Sequence, residues 1–247
     1  MWRVYLLEAK YELLKTLRMP AYVIPTLAFP LMFYLLFGLA FDFGHGMATY
    51  LIASYGAVGV IGASLFNFGV GVAMERGQGW MTVKRASPMP LSAYFAARMA
   101  VSLCFGLVVV LLLFALGFFA GGVRLPWTTW PLLALVLVLG ALPFCALGLA
   151  IGYVAGPNSA PGIVNLIFLP MSFSSGLWVP YEMLPRVVKA ISPFLPAFHL
   201  GQLALGCIGR SSGWGPAVHL AALAAFSAAF LALAAVAFRR DEGKAYG

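Results

Sequence analysis

Residues 99–120 read MAVSLCFGLVVVLLLFALGFFA, a stretch without Lys, Arg, Asp or Glu. A helix needs about 20 apolar residues to cross the hydrocarbon core of a bilayer, so this stretch predicts a transmembrane helix. Five other stretches are equally apolar and uncharged. The six predicted spans run from about Ala21 to Phe41, Tyr50 to Met74, Met99 to Ala120, Trp130 to Ala155, Gly162 to Val179 and Gly215 to Phe238.

The composition of the whole chain indicates a membrane protein. Of 247 residues, 63% are hydrophobic and 9% are charged, whereas a soluble domain has about 25% charged residues. The chain therefore has too few polar residues to cover a soluble core. This excludes a soluble enzyme, a disordered protein and a nucleic-acid-binding domain, so no nucleic-acid partner is expected despite the net charge of +8.

The N-terminal segment, residues 1–20, predicts an amphipathic helix rather than a signal peptide. Trp2, Leu6 and Leu13 share one helical face, and charged residues such as Glu8 and Lys15 take the other side. Such a helix suits the membrane surface, and packing on another subunit explains the pattern equally well. We therefore divide the chain into this segment and a six-span domain, residues 21–247.

The basic residues predict the orientation of the chain. Eleven of the 15 lie in the N-terminal segment, in the connection of about residues 75–98 and in the tail of about residues 239–247. The positive-inside rule places these three regions in the cytoplasm. The prediction is a multi-pass protein of the cell membrane with both termini cytoplasmic, which the even number of spans permits.

No motif for catalysis is present. A P-loop reads G-x-x-x-x-G-K-[ST], and the only Gly-Lys pair, at residues 243–244, is followed by Ala245. His45 and His199 have no partner at metal-ligand spacing, so each is predicted to be interfacial or hydrogen-bonded. The uncharged spans count against an ion-coupled carrier. We expect a non-enzymatic chain that holds no cofactor or metal.

Polar residues concentrate in the second and fifth spans. Ser64 and Asn67 lie three residues apart, and Asn165 and Ser172 lie two turns apart, so each pair shares a helix face. Such residues line a pathway or form hydrogen bonds between helices, and both interpretations stay open.

The fourth span carries small residues at positions that permit close helix packing. Gly148, Gly152 and Gly156 form two overlapping G-x-x-x-G steps. Packing within one subunit is the simpler interpretation, and packing between two subunits is the alternative.

Two connections are unusual. Residues 180–214 contain four prolines and are largely apolar, which predicts short helices that re-enter the membrane on the outer side. A helix lying flat on the outer surface is the alternative. Residues 75–92 read ERGQGWMTVKRASPMPLS, and Ser87-Pro88 suits a helix start. A structured cytoplasmic loop predicts a docking surface, although an anchor that only sets orientation explains its charges equally well.

In their order and spacing, these parts resemble the type-2 ABC exporter permease family. The resemblance covers essentially the whole chain. It is carried by the amphipathic N-terminal helix and by the Glu75-Arg76-Gly77 turn that leads to Ser87-Pro88-Met89-Pro90-Leu91. It is also carried by residues 173–180, which read FSSGLWVP, and by the prolines that follow them.

The resemblance implies an all-α membrane protein with six transmembrane helices, an N-terminal interfacial connecting helix and short re-entrant helices between the fifth and sixth spans. It implies a second permease copy or a paralogue, outward transport, and two separate ATPase subunits that hold ATP and Mg. The residues implied in ATPase coupling are Glu75, Arg76, Gly77, Ser87, Pro88, Met89 and Pro90. The residues expected along the translocation pathway are Ser64, Asn67, Asn165, Phe168, Ser172 and Phe173.

The substrate class follows from the character of this pathway. Because it holds few polar residues and no charges, it suits an amphipathic, drug-like or lipid-like molecule within the surrounding membrane lipid. Rings such as Phe168 and Phe173 could stack on a sugar, which adds a glycan to the candidates. Two alternatives remain, namely a stand-alone ion-coupled carrier or channel and a membrane scaffold that transports nothing.

Overall fold

A computed structural model describes residues 2–41, 46–87, 89–211 and 213–245. Within these ranges the regular structure is helical throughout, which confirms the predicted all-α class. The helices are α1 (Trp2–Leu17), α2 (Pro20–Ala40), α3 (Met47–Gly77), α4 (Trp80–Ala86), α5 (Leu91–Phe119), α6 (Thr129–Val154), α7 (Ala160–Ser174), α8 (Arg186–Phe194), α9 (Pro196–Cys207) and α10 (Pro216–Ala245).

Among the described residues, five helices are long and apolar enough to cross a bilayer, namely α2, α3, α5, α6 and α10. The shorter apolar helix α7 lies along α3, and its flanking residues reach both ends of that helix. Pro157, before α7, lies against Gly77 at one end of α3, since a Cβ added to Gly77 would be 2.7 Å from the Pro157 ring. Gly176, after α7, accepts a 2.7 Å hydrogen bond from the Tyr50 hydroxyl at the other end of α3.

The helix of the fifth predicted span, α7, ends earlier than the sequence predicts. The helix stops at Ser174 rather than at Val179. Gly176 then adopts a φ of +75°, a conformation that glycine accepts without steric cost. The chain therefore turns toward residues 180–214 before the apolar run is complete.

Both ends of the described chain lie at the same end of the bundle, which we call the basal end, and we call the opposite end the outer end. Lys84 of α4 pairs with Glu8 of α1 at 2.8 Å, and Arg76 of α3 pairs with Asp241 of α10 at 2.8 Å. The predicted tail begins as a continuation of α10, which stays helical to Ala245.

The N-terminal helix packs its polar face on its own chain. Glu12 and Thr16 are buried, whereas Trp2 and Leu6 are exposed. The Tyr5 hydroxyl lies 2.7 Å from the Ser92 hydroxyl oxygen in the first turn of α5. The predicted amphipathic helix is therefore present. Trp2 and Leu6 of its apolar face are turned outward, as a helix at a membrane surface requires, whereas Leu13 packs against the bundle.

Glycines bring α6 against α3 within one chain. A Cβ added to Gly148 would be 2.8 Å from Phe68 Cβ, and one added to Gly152 would be 2.8 Å from the Phe68 main-chain oxygen. No larger residue fits at these distances without moving one helix. The predicted close packing thus occurs inside the subunit at both positions.

The segment after α7 forms a bent helix pair. The axes of α8 and α9 meet at 94°, with Pro193 and Pro196 at the break, where they remove main-chain donors. Residues 196–205 of α9 are all buried. This helix therefore enters the bundle and does not lie flat on the outer surface.

Candidate functional site

Four charged side chains from three helices meet near the basal end. This ion cluster consists of Glu12 and Lys15 of α1, Glu75 of α3 and Arg98 of α5. Arg98 is 1% exposed, and its Nη2 lies 2.7 Å from Glu75 Oε1 and 3.0 Å from Glu12 Oε1. Lys15 Nζ lies 2.6 Å from Glu12 Oε2 and also contacts Glu75. Two carboxylates are thus balanced by two cations, which offsets the cost of burying them.

Neutral groups add further hydrogen bonds to the ion cluster. The Tyr94 hydroxyl donates to Glu75 Oε2 at 2.7 Å. Arg98 Nη1 donates to the Asn67 main-chain oxygen at 2.5 Å and to its side-chain oxygen at 3.2 Å. Asn67 lies in a π-helical turn of α3, where the usual backbone bonding is interrupted and a carbonyl can accept a bond from another helix. The Asn67 amide nitrogen in turn donates to Ser102 at 2.8 Å.

Arg98 belongs to the helix of the third predicted span and not to the connection that precedes it. The helix α5 begins at Leu91, several residues before the predicted start, so Arg98 lies inside it. It is also paired, and does not act as a free basic residue of the connection. Two helical spacings in the sequence could have pointed to this cluster. Arg98 follows Tyr94 by four residues, and Glu12 and Lys15 share a face of α1.

Arg76 forms a second junction at the basal end. Its guanidinium donates to the main-chain oxygens of Gly152 at 2.6 Å and Ala155 at 3.3 Å, where α6 ends. It also pairs with Asp241 of α10 at 2.8 Å. A cation is favourable here because the carboxyl end of a helix carries partial negative charge. Arg76 therefore joins α3, α6 and α10.

The other residues implied in coupling surround α4. The Ser87 hydroxyl donates to the Lys84 main-chain oxygen at 2.8 Å, so Ser87 ends α4. The predicted helix start at Ser87-Pro88 is wrong, because the next helix begins at Leu91. Met89 and Pro90 are half-buried, and Pro88 lies outside the described residues.

The short helix α4, in the connection for which the resemblance implies a coupling helix, presents apolar side chains outward. Trp80 and Val83 lie three residues apart and are 54% and 59% exposed. On the other side Met81 is buried, and Lys84 Nζ lies 4.0 Å from the centre of the Tyr94 ring. The exposed face of α4 is thus linked to the ion cluster through Lys84 and Tyr94.

A cavity of about 460 Å³ lies between α2, α3 and α7. It is lined by Ala21, Tyr22, Pro25, Thr26, Phe29, Pro30, Val58, Gly59, Gly62, Ala63, Phe66, Asn165, Phe168 and Leu169. These side chains carry no formal charge, and Tyr22, Thr26 and Asn165 supply the polar ones. Two residues expected along the pathway, Asn165 and Phe168, therefore share the lining.

The other four residues expected along the pathway lie elsewhere. Ser64 and Ser172 are fully buried, and Asn67 is bonded to Arg98 and Ser102. Phe173 is 50% exposed, and its ring stacks on another aromatic ring, that of Trp178, at a centroid distance of 5.2 Å. None of these four lines the cavity between α2, α3 and α7.

Two histidines form a pair at the outer end. The Nδ1 atoms of His199 in α9 and His219 in α10 are 3.0 Å apart, and His199 Nε2 lies 2.9 Å from the Pro193 main-chain oxygen. The prediction that His199 is hydrogen-bonded is confirmed, whereas His45 lies outside the described residues. In the part of the chain that the structure describes, no three His, Cys, Asp or Glu side chains form a group that could hold a metal ion.

Five described helices that can cross a bilayer, with α7 and the bent α8–α9 pair packed among them, define a multi-pass membrane protein. The sequence profile of the ABC-2 type transporter family matches residues 4–208, and the chain belongs to this family. The chain is also similar to the Bacillus subtilis (strain 168) protein named "Putative transport permease YvfS". The two are 27% identical over 236 residues, which cover 94% of this chain and 95% of that protein.

Proposed function

We propose that this chain is the membrane subunit of an ATP-driven exporter. It acts as a homodimer or beside a similar permease, and two separate ATPase subunits, which bind ATP and Mg²⁺, drive it from the cytoplasm. The chain itself catalyses no reaction. It moves an amphipathic substrate outward, of a drug-like, lipid-like or glycan class.

The exposed apolar face of α4 is the observation that carries this proposal. Exposed apolar patches often mark surfaces that bind a partner, and burying one contributes about 25 cal/mol per Å². Trp80 and Val83 form this face, and the opposite side of α4 is held to the bundle by Met81 and Lys84. An ATPase subunit docked on α4 would therefore act on the bundle and not on a loose loop.

The ion cluster provides a route from α4 to the spans. Lys84 contacts Tyr94, and Tyr94 is bonded to Glu75. A buried charge without its partner is strongly unfavourable, so α1 and the basal ends of α3 and α5 move together. Because α3 forms one wall of the cavity, this movement changes access to it. ATP binding then needs only to favour one of two conformations.

The cavity supports an uncharged substrate moiety. A charged group placed there would lose its hydration without meeting an opposite charge. The rings of Phe66 and Phe168 lie 6.3 Å apart in an edge-to-face arrangement, and they offer an apolar surface to an acyl chain, a drug ring or a sugar.

The native mass of the complex, purified in mild detergent with this chain tagged in its own cell, tests the proposal. We expect two permease copies with two ATPase chains. The double variant Trp80→Asp with Val83→Asp should lower the recovered ATPase at least tenfold. The control is Trp127→Asp, which changes a residue that is 79% exposed in the outer connection between α5 and α6, and it should keep the ATPase. A wild-type chain that purifies without ATPase contradicts the proposal and favours an ion-coupled carrier or a scaffold.

The cavity has its own test in the purified complex. Phe168→Ala and Asn165→Leu should raise the concentration of a fluorescent long-chain alkyl dye that half-maximally stimulates ATP hydrolysis by about tenfold, or 1.4 kcal/mol. Phe119→Ala is the control, because Phe119 is 83% exposed and lies outside the cavity lining. Equal shifts in all three variants would exclude the cavity as the substrate site.

A further inference from the structure

We propose that α10 is a rigid tie that carries movement of the basal Arg76 junction to the re-entrant helix α9 at the outer end. This inference rests on the proposed function and adds a second route to the one through the ion cluster. It concerns a helix that begins at Pro216, beyond the matched residues 4–208.

The basal attachment of α10 is an ion pair. Asp241 lies 2.8 Å from Arg76, and both side chains are about four-fifths buried. Because Arg76 also bonds the end of α6, Asp241 attaches α10 to the residues next to the α3–α4 turn. Any displacement of that turn therefore reaches α10 directly.

The outer attachment of α10 is the histidine pair. The Pro193 carbonyl can only accept, so His199 Nε2 carries a hydrogen and Nδ1 of the neutral ring is an acceptor. His219 Nδ1 therefore donates across the 3.0 Å contact. His199 and His219 are 3% and 1% exposed, and Trp214 stacks on both rings. A hydrogen bond shielded from water in this way is stronger than an exposed one.

The helix between the two attachments is suited to transmit displacement. His219 and Asp241 are separated by about 33 Å at 1.5 Å per residue, which is the thickness of a bilayer core. No Pro or Gly interrupts α10 between them, whereas α2 and α7 contain internal prolines. Only 17% of its most apolar window is buried. Between the two attachments α10 packs along the second half of α6, and the attachments at its ends link it to the Arg76 junction and to α9.

During transport, the ATPase subunits would move the Arg76 junction and α10 would shift with it. His219 would then displace α9 through its hydrogen bond to His199. Residues 196–205 of α9 are buried at the outer end, so their displacement alters the exit from the bundle. His219, His199 and Asp241 are thus positioning residues for transport.

The test uses the complete complex with its ATPase subunits in vesicles and measures transport of the fluorescent alkyl dye per ATP hydrolysed. His219→Leu removes the donor and should lower this ratio about tenfold while ATP hydrolysis stays within twofold of wild type. His219→Asn retains an N–H donor and should restore most of the ratio. Ser227→Ala is the control, because the Ser227 hydroxyl donates to the Leu223 main-chain oxygen within α10 itself, and it should leave the ratio unchanged.

A double variant separates the tie from general damage. His219→Leu and Asp241→Asn interrupt the same route. The double variant should therefore transport as much dye per ATP as the more impaired of the two single variants. If the two defects were independent, their fold-losses in this ratio would multiply. Replacing Ala228 and Ala229 by Gly softens the helix between the attachments and should also lower the ratio. Multiplied losses, or a normal ratio in His219→Leu, would overturn the inference. Failure of the proposed function is distinct, because the wild-type complex would then show no ATP-dependent dye transport.

Discussion

Arg98 is the residue whose removal should destabilise the bundle most. It is the buried cation that contacts both Glu12 and Glu75. Arg98→Met leaves two buried carboxylates with only Lys15, so we expect a loss of about 3–5 kcal/mol of stability. The measurement is the thermal unfolding midpoint in detergent.

Two companion variants identify the cause of this effect. The double variant Arg98→Met with Glu75→Gln restores the charge balance and should recover part of the loss. Arg124→Gln, at an exposed outer position, should change stability by less than about 0.5 kcal/mol. Equal losses for Arg98→Met and Arg124→Gln would mean that the pairing contributes little.

At the residue scale, the sequence identified some charged residues but none of their partners. Glu75 and Arg76 stood out by resemblance, and the structure places each at a junction. Their partners Arg98 and Asp241 lie far along the chain, and no local pattern links them. The pairing depends on which helix ends meet at the base of the bundle.

At the scale of helices, the contact of α6 with α3 depends on glycine. Gly152→Ala should destabilise the bundle by about 1–3 kcal/mol, because the new Cβ would lie 2.8 Å from a backbone oxygen that cannot rotate away. Gly162→Ala is the matched control, since nothing lies within 4 Å of its added Cβ. That change should be neutral or stabilise α7 by up to about 1 kcal/mol. The thermal unfolding midpoints of both variants test this requirement for glycine. A Gly152→Ala variant as stable as the wild type would show that the two helices can separate without cost.

Helix existence was predictable from hydropathy, but helix ends were not. The α5 helix begins at Leu91, directly after Pro90, and includes Arg98, which a search for uncharged stretches leaves out. The α7 helix stops at Ser174 inside an apolar run because Gly176 turns the chain. Hydropathy averages composition over many residues, whereas hydrogen bonds and single turns decide where a helix stops.

At the scale of the whole molecule, the topology can be tested by cysteine labelling. In a chain with Cys104, Cys145 and Cys207 replaced by Ala, Ser211→Cys should react with a membrane-impermeant maleimide in intact cells. Ser87→Cys, at the basal end, should react only after permeabilisation. The reason is that the positive-inside rule places the basic connection in the cytoplasm. Both positions are exposed. Labelling of Ser87→Cys in intact cells would therefore show that the orientation is opposite to the predicted one.

The sequence by itself determined that this is an all-α membrane protein with several spans and an amphipathic N-terminal helix. Those features depend on composition and periodicity within about 20 residues, which the chain order preserves. Only the tertiary structure decided that Arg98 is buried among carboxylates, that Asn67 bonds another helix while Asn165 lines a cavity, and that His199 meets His219. These outcomes depend on the rotation and contact of helices distant in sequence, which a local pattern does not encode.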